Sequence, residues 1–168
     1  VGLIQALSEM NNFKISKRAL ALKTINLEQN ILKEYVGSQD QIAAAYGGFN
    51  KISFDKKNKF RVRKINISNS KIKILNQWCQ LLYTGIPRSS QLIAKKQIQN
   101  INDENNVLHK MLDICHEAND VLENSKNKDF IYSLSYLLNK QWELKKNCEK
   151  TTTNKYIDNL FDKAFKSG

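Results

Sequence analysis

The chain has 168 residues, room for one domain or one and a fraction, and its 41% apolar and 26% charged residues fit a sequence that buries a core rather than a disordered one. No apolar run approaches the ~20 residues that cross a membrane, nothing at the start reads as a cleavable signal, and three widely spaced cysteines (Cys79, Cys115, Cys148) make no disulfide framework, so a reducing cytoplasm is expected. The net charge is +11, yet lysine supplies 23 of the 27 basic residues, and Lys, Asn and Ile make up 60 of the 168. That bias places lysine on any tolerant surface, and four arginines are few for reading bases and phosphates, so neither a nucleic acid nor a membrane is the expected partner.

In chain order, Val1 to about Met10 reads as a helix already under way, with no N-cap before it. Since the far end, Ser167-Gly168, closes a helical pattern, the chain is expected to continue beyond both ends. Asn11-Asn12 breaks the first helix and Ser16 caps a second, with Ala19, Leu22, Ile25, Ile31 and Leu32 expected on its buried stripe and its end near Gly37. Ser38 to Tyr46 follows as a short helix stopped by Gly47-Gly48.

The period then becomes two. Phe49, Ile52 and Phe54 define one strand and Phe60, Val62 and Ile65 another, joined by a loop at Asp55–Lys59, and the run from Trp78 to Tyr83 is expected as a third strand. Thr84-Gly85-Ile86-Pro87 turns the chain into helices over 88–99, 103–124, 128–148 and 153–166. Strands followed by helices give an α+β class.

Some constellations carry little chemistry. His109, Cys115 and His116 match no zinc spacing, and no cysteine has a histidine placed to activate it. The basic hairpin from Lys56 to Lys64 could grip phosphates, but it also reads as lysines guarding an edge strand. Trp142 reads as a core aromatic beside a charged face. Asp40 stands apart, because an acid between Gln39 and Gln41, with Gly37 before it and Gly47-Gly48 after, is poor surface filler. It fits a helix N-terminus, where backbone N–H groups and the dipole favour an anion. Glu28, twelve residues earlier between Leu27 and Gln29, is either a solvent-facing acid or a second functional carboxylate.

Gly37-Ser38-Gln39-Asp40-Gln41-Ile42-Ala43-Ala44-Ala45-Tyr46-Gly47-Gly48-Phe49-Asn50 resembles the G-x-Q-D-Q-Y-A-A-A-x-G-G-F-N signature of the GHMP small-molecule kinases, in the branch acting on D-glycero-D-manno-heptose 7-phosphate. Leu82-Tyr83-Thr84-Gly85-Ile86-Pro87-Arg88 is similar to that family's L-x-Y-T-G-x-x-R, and Leu138 to Lys146 to its L-N-x-x-W-x-x-K-K. The departure is Ile42, where the branch usually has tyrosine. The family's glycine-rich nucleotide loop and second glycine-rich motif are not among these residues.

The resemblance implies a fragment of a GHMP kinase fold, with short antiparallel strands followed by a predominantly helical C-terminal half. Residues 1–85 would close the N-terminal kinase domain and 86–168 belong to a C-terminal one. It implies ATP and Mg²⁺ as cofactors and a sugar phosphate as partner, phosphorylated at the anomeric hydroxyl for surface polysaccharide synthesis. Asp40 would be catalytic, Glu28 the Mg²⁺ ligand, and Gln39, Gln41, Gly47, Gly48, Thr84, Gly85 and Arg88 would bind substrate. These 168 residues alone are not expected to turn over ATP. Alternatives are a fucose- or galactose-type kinase of the same family, or a basic helical binding module without catalysis.

Overall fold

The computed structural model describes residues 1–85, 105–126, 129–148 and 153–167. They form helices α1 (Gly2–Met10), α2 (Lys17–Asn26, continued by a π-helical turn over Leu27–Ile31) and α3 (Gln39–Tyr46), strands β1 (Asn50–Phe54) and β2 (Phe60–Lys64), then α4 (Asn69–Trp78), α5 (Asn105–Asn124), α6 (Phe130–Cys148) and α7 (Lys155–Lys166). Two antiparallel strands among helices make the architecture α+β. The chain divides into two compact units, Val1–Ile65 and Asn66–Gly168. The helix expected over 88–99 lies outside the described residues.

The first unit is organised by α2 and α3. Ser16 caps α2, its hydroxyl accepting from the Ala19 N–H at 3.2 Å. Leu20 and Ala21 of α2, Ile42 and Ala45 of α3, and Phe60 of β2 form one buried cluster, flanked by Val1, Ile4, Ile15 and Ile52. The expected stripe is therefore corrected: Leu22 is 47% exposed, and Ile31 and Leu32 are exposed as well. Apolar residues occur around most of α2, so spacing alone does not choose a face. The face is chosen by α3 and Phe60, which dock on Leu20, Ala21 and Thr24.

The helix expected to run to Gly37 instead stops at Ile31, and Lys33 takes a left-handed conformation (φ 57°) that ends it. The hairpin pairs Ile52 with Val62 and Phe54 with Phe60. Its loop is tied by Asp55, whose Oδ1 accepts from the N–H groups of Lys57 and Lys59 at 2.8 and 2.9 Å. Arg18 covers the outer side of Phe60, with its guanidinium carbon 4.6 Å from the ring centroid and a hydrogen bond to the Phe60 carbonyl.

In the second unit α5 packs on α6, and Ile114, Leu122, Phe130 and Leu137 are buried. Lys71 of α4 is only 4% exposed. Its ammonium donates to the Leu122 carbonyl at 2.7 Å and the Val121 carbonyl at 3.4 Å, and lies 5.6 Å from the centre of the Phe130 ring. A cation on the last carbonyls of α5 answers both the helix dipole and the orphan acceptors there. Trp142 of α6 stacks on Phe161 of α7 at 5.4 Å.

The third strand expected over 78–83 is not formed. Ser68 caps α4 by accepting from the Lys71 N–H, the helix runs through Trp78, and residues 79–85 have no regular structure. The cap and the tethered Lys71 start a helix that takes up Trp78, and Cys79–Tyr83 find no partner strand among the described residues to pair with. Among the described residues no helix is long and apolar enough to cross a membrane.

Position 42 is a packing position, since Ile42 is fully buried. Ile42→Ala is expected to cost about 2–5 kcal/mol and Ile42→Val about 1 kcal/mol, read as a shift of the urea midpoint at unchanged slope. Equal, negligible losses for both would place Ile42 outside the core.

Candidate functional site

The residues spaced by four along α2, Leu20, Thr24 and Glu28, lie on the side that faces α3. Thr24 is buried and satisfies its hydroxyl within the helix by donating to the Leu20 carbonyl at 2.9 Å. The helix then widens: the Leu32 N–H reaches back five residues to the Leu27 carbonyl at 2.9 Å, and the Glu34 N–H bonds the Glu28 carbonyl. A π turn inserted in an α-helix moves the following side chains off the regular helical positions. Here the turn begins at Leu27, beside Glu28.

Glu28 is half-buried and accepts a hydrogen bond from the side-chain amide of Gln41 on α3. The neighbouring Gln29 uses its amide differently. Its Nε2 donates to the Val36 carbonyl at 2.9 Å and the Ser38 hydroxyl at 3.2 Å, pinning the loop between the helices. Ser38, not Asp40, is the N-cap of α3, though its hydroxyl makes no capping bond to the helix.

Asp40 lies in the first turn of α3 and is exposed. Among the described residues its carboxylate has no hydrogen-bond or ion-pair partner. The helix N-terminus favours its charge. Gln41 follows about 100° around the helix, which turns it inward while Asp40 faces out. Glu28 and Gln41 thus meet where the π turn reaches the start of α3, with Asp40 on the same first turn and facing out. Gln39 is exposed on the same first turn.

Gly47 and Gly48 sit at the opposite end of α3, about 12 Å away by helix rise, with φ of 63° and 76°. Open space surrounds the position of a Cβ at both, so the backbone conformation requires glycine, not crowding. They line an open groove of about 620 Å³ with Lys17, Asn50, Val62 and Lys64. Thr84 and Gly85 belong to the second unit, with Gly85 at φ 72°, and Arg88 lies outside the described residues.

Sequence reasoning missed the structural work of Gln29 and Lys17. Lys17 donates to the Tyr46 carbonyl at 2.6 Å and so ties the end of α3 to the start of α2. Its place directly after the Ser16 cap was the one available clue. Among the described residues no three His, Cys, Asp or Glu side chains group as a metal site. A cation at Glu28 would therefore need further oxygen ligands from substrate phosphates and water. Magnesium is commonly bound in that way, through one or two carboxylates plus phosphates, so the donor chemistry fits.

No family model matches the chain. Along all of its 168 residues it is 28% identical to a D-glycero-alpha-D-manno-heptose 7-phosphate kinase from Campylobacter jejuni subsp. jejuni serotype O:2 (strain ATCC 700819 / NCTC 11168), covering 49% of that protein. The chain spans about half the length of the curated relative it matches.

Gln29→Ala removes two bonds to the loop, together about 1–3 kcal/mol. Hydrogen exchange at the amides of 36–41 is expected to quicken by about tenfold or more, with exchange in β1 and β2 unchanged. Unaltered loop exchange would show that Gln29 does not hold it.

Proposed function

We propose that this chain carries the acceptor and metal side of an ATP-dependent sugar-phosphate kinase, acting on D-glycero-D-manno-heptose 7-phosphate at its anomeric hydroxyl. The observation that supports it is the bond from Gln41 to Glu28, which ties Glu28 to the first turn of α3, the turn that also carries exposed Asp40. The relative's name points to the same class of reaction.

In the proposed reaction the anomeric oxygen forms a bond to the γ-phosphorus of ATP as the bond from that phosphorus to the β,γ-bridging oxygen breaks. ADP leaves, and the hydroxyl proton passes to the Asp40 carboxylate. A loose transition state needs its proton removed late, so Asp40 works chiefly by orienting the hydroxyl. Its exposure leaves it open to an incoming sugar, and the α3 N-terminus beside it adds N–H dipoles to a region where phosphate charge gathers.

Glu28 would hold Mg²⁺, an ion that neutralises phosphate oxygens when bound. Gln39, Gly47, Gly48, Thr84, Gly85 and Arg88 are proposed to recognise the sugar phosphate on the strength of their motifs. Arginine suits that role because its planar fork grips phosphate with two bonds.

In the whole protein, given ATP, Mg²⁺ and the heptose 7-phosphate, ³¹P NMR is expected to show a new anomeric phosphate. Asp40→Asn is expected to lower kcat by about 10²–10⁴-fold with an unchanged urea midpoint. Turnover of fucose or galactose instead would keep a sugar kinase and discard the heptose branch. An Asp40→Asn variant with normal kcat would remove Asp40 from the reaction.

A further inference from the structure

Gln41 is 5% exposed and lies among core residues, so it cannot reach a sugar in solvent without leaving its place. Its Nε2 donates to Glu28 Oε2. Its Oε1 is buried and, among the described residues, has no hydrogen-bond partner. An unpaired buried acceptor costs about 1–3 kcal/mol. Turning the amide over would bring its oxygen against the Glu28 carboxylate and strand the N–H₂ instead. The amide is therefore held in the one orientation that serves Glu28, at the cost of its own oxygen.

We propose that Gln41 is a positioning residue for Glu28: it holds one carboxylate oxygen so that the other is presented to a divalent cation, and it does not contact the sugar. This rests on the kinase reading above. Two structural features support it. The donor comes from the residue directly after Asp40, so one helical turn sets the acid that faces the acceptor hydroxyl and the amide that sets the metal ligand. None of the five residues of the π turn that carries Glu28 is fully buried, Leu27, Glu28 and Gln29 being half-buried and Asn30 and Ile31 exposed. The Gln41 bond is the hydrogen bond that the described residues make to the Glu28 carboxylate. Holding a ligand through a hydrogen-bonded neighbour commonly changes metal affinity by 10–100-fold.

The test uses the whole protein with Mn²⁺ and ADP, following free Mn²⁺ by electron paramagnetic resonance, beside steady-state kinetics. Gln41→Met keeps the side chain's length and removes both the donor and the orphan oxygen. Its urea midpoint is expected to hold or rise, its Mn²⁺ affinity to fall by about tenfold or more, and its KM for the sugar phosphate to stay unchanged. Combined with Glu28→Gln, it should lose no more Mn²⁺ affinity than Glu28→Gln alone.

Wild-type Mn²⁺ affinity in Gln41→Met would overturn the proposal while leaving the kinase reading intact. A raised KM for the sugar phosphate at unchanged Mn²⁺ affinity would overturn it by placing Gln41 on the substrate. Should Gln41→Met lower the urea midpoint sharply, Gln41→Glu supplies the second reading: facing carboxylates are expected to make Mn²⁺ binding steeply pH-dependent, and a flat profile would overturn the proposal. Absence of Mn²⁺ binding by the wild-type protein would overturn the kinase reading together with it.

Discussion

One hydrogen bond at each end fixes how α3 lies along α2. Gln41 bonds Glu28 where α3 begins, and Lys17 bonds the Tyr46 carbonyl where it ends. The two helices therefore run antiparallel, with Leu20, Ala21 and Thr24 facing Ile42 and Ala45 between the polar ties. Burial supplies the stability, because apolar side chains account for most of the interface. The polar ends supply the register. A shift of one residue would aim Gln41 away from Glu28 and strand a buried amide.

This register is also what makes the start of α3 chemically distinctive. Asp40 and Gln41 are adjacent in sequence, yet one faces solvent and the other the core. The helix thus separates an acid able to meet a ligand from an amide committed to holding Glu28. The π turn belongs to the same arrangement, since it carries Glu28, while Gln29 secures the loop that lets α3 return. Local strain and irregular helical geometry of this kind are tolerated where surrounding packing over-determines them.

Much of the local structure was legible in the residues. Ser16 announced α2, Gly47-Gly48 announced the end of α3, and alternation from Phe49 to Ile65 announced the hairpin, because caps, left-handed turns and period-two strands depend on near neighbours. The buried face of α2 was not legible, since its apolar residues surround the helix and the partner decides. Trp78 to Tyr83 misled for a related reason: Trp78 was taken up by the helix that Ser68 starts, and the β formers after it meet no partner strand among the described residues. Lys71 was equally hidden, because a lysine in Lys-Ile-Lys-Ile reads as solvated until α5 brings its last carbonyls against it. Glu28 and Asp40 could be nominated by motif, but the bond that ties Glu28 to Gln41 on α3 starts from a π turn, which no spacing rule signals.

The proposed kinase function would put nucleotide-bound metal where Glu28 meets the start of α3. The most direct measurement adds Mn²⁺ and ADP to the isotopically labelled whole protein and maps paramagnetic line broadening along the backbone. The strongest broadening is expected over 27–31 and 38–41, fading toward Gly47-Gly48 and abolished by Glu28→Gln. Broadening centred on Lys17, Gly47 and Lys64, or unchanged by Glu28→Gln, would contradict it.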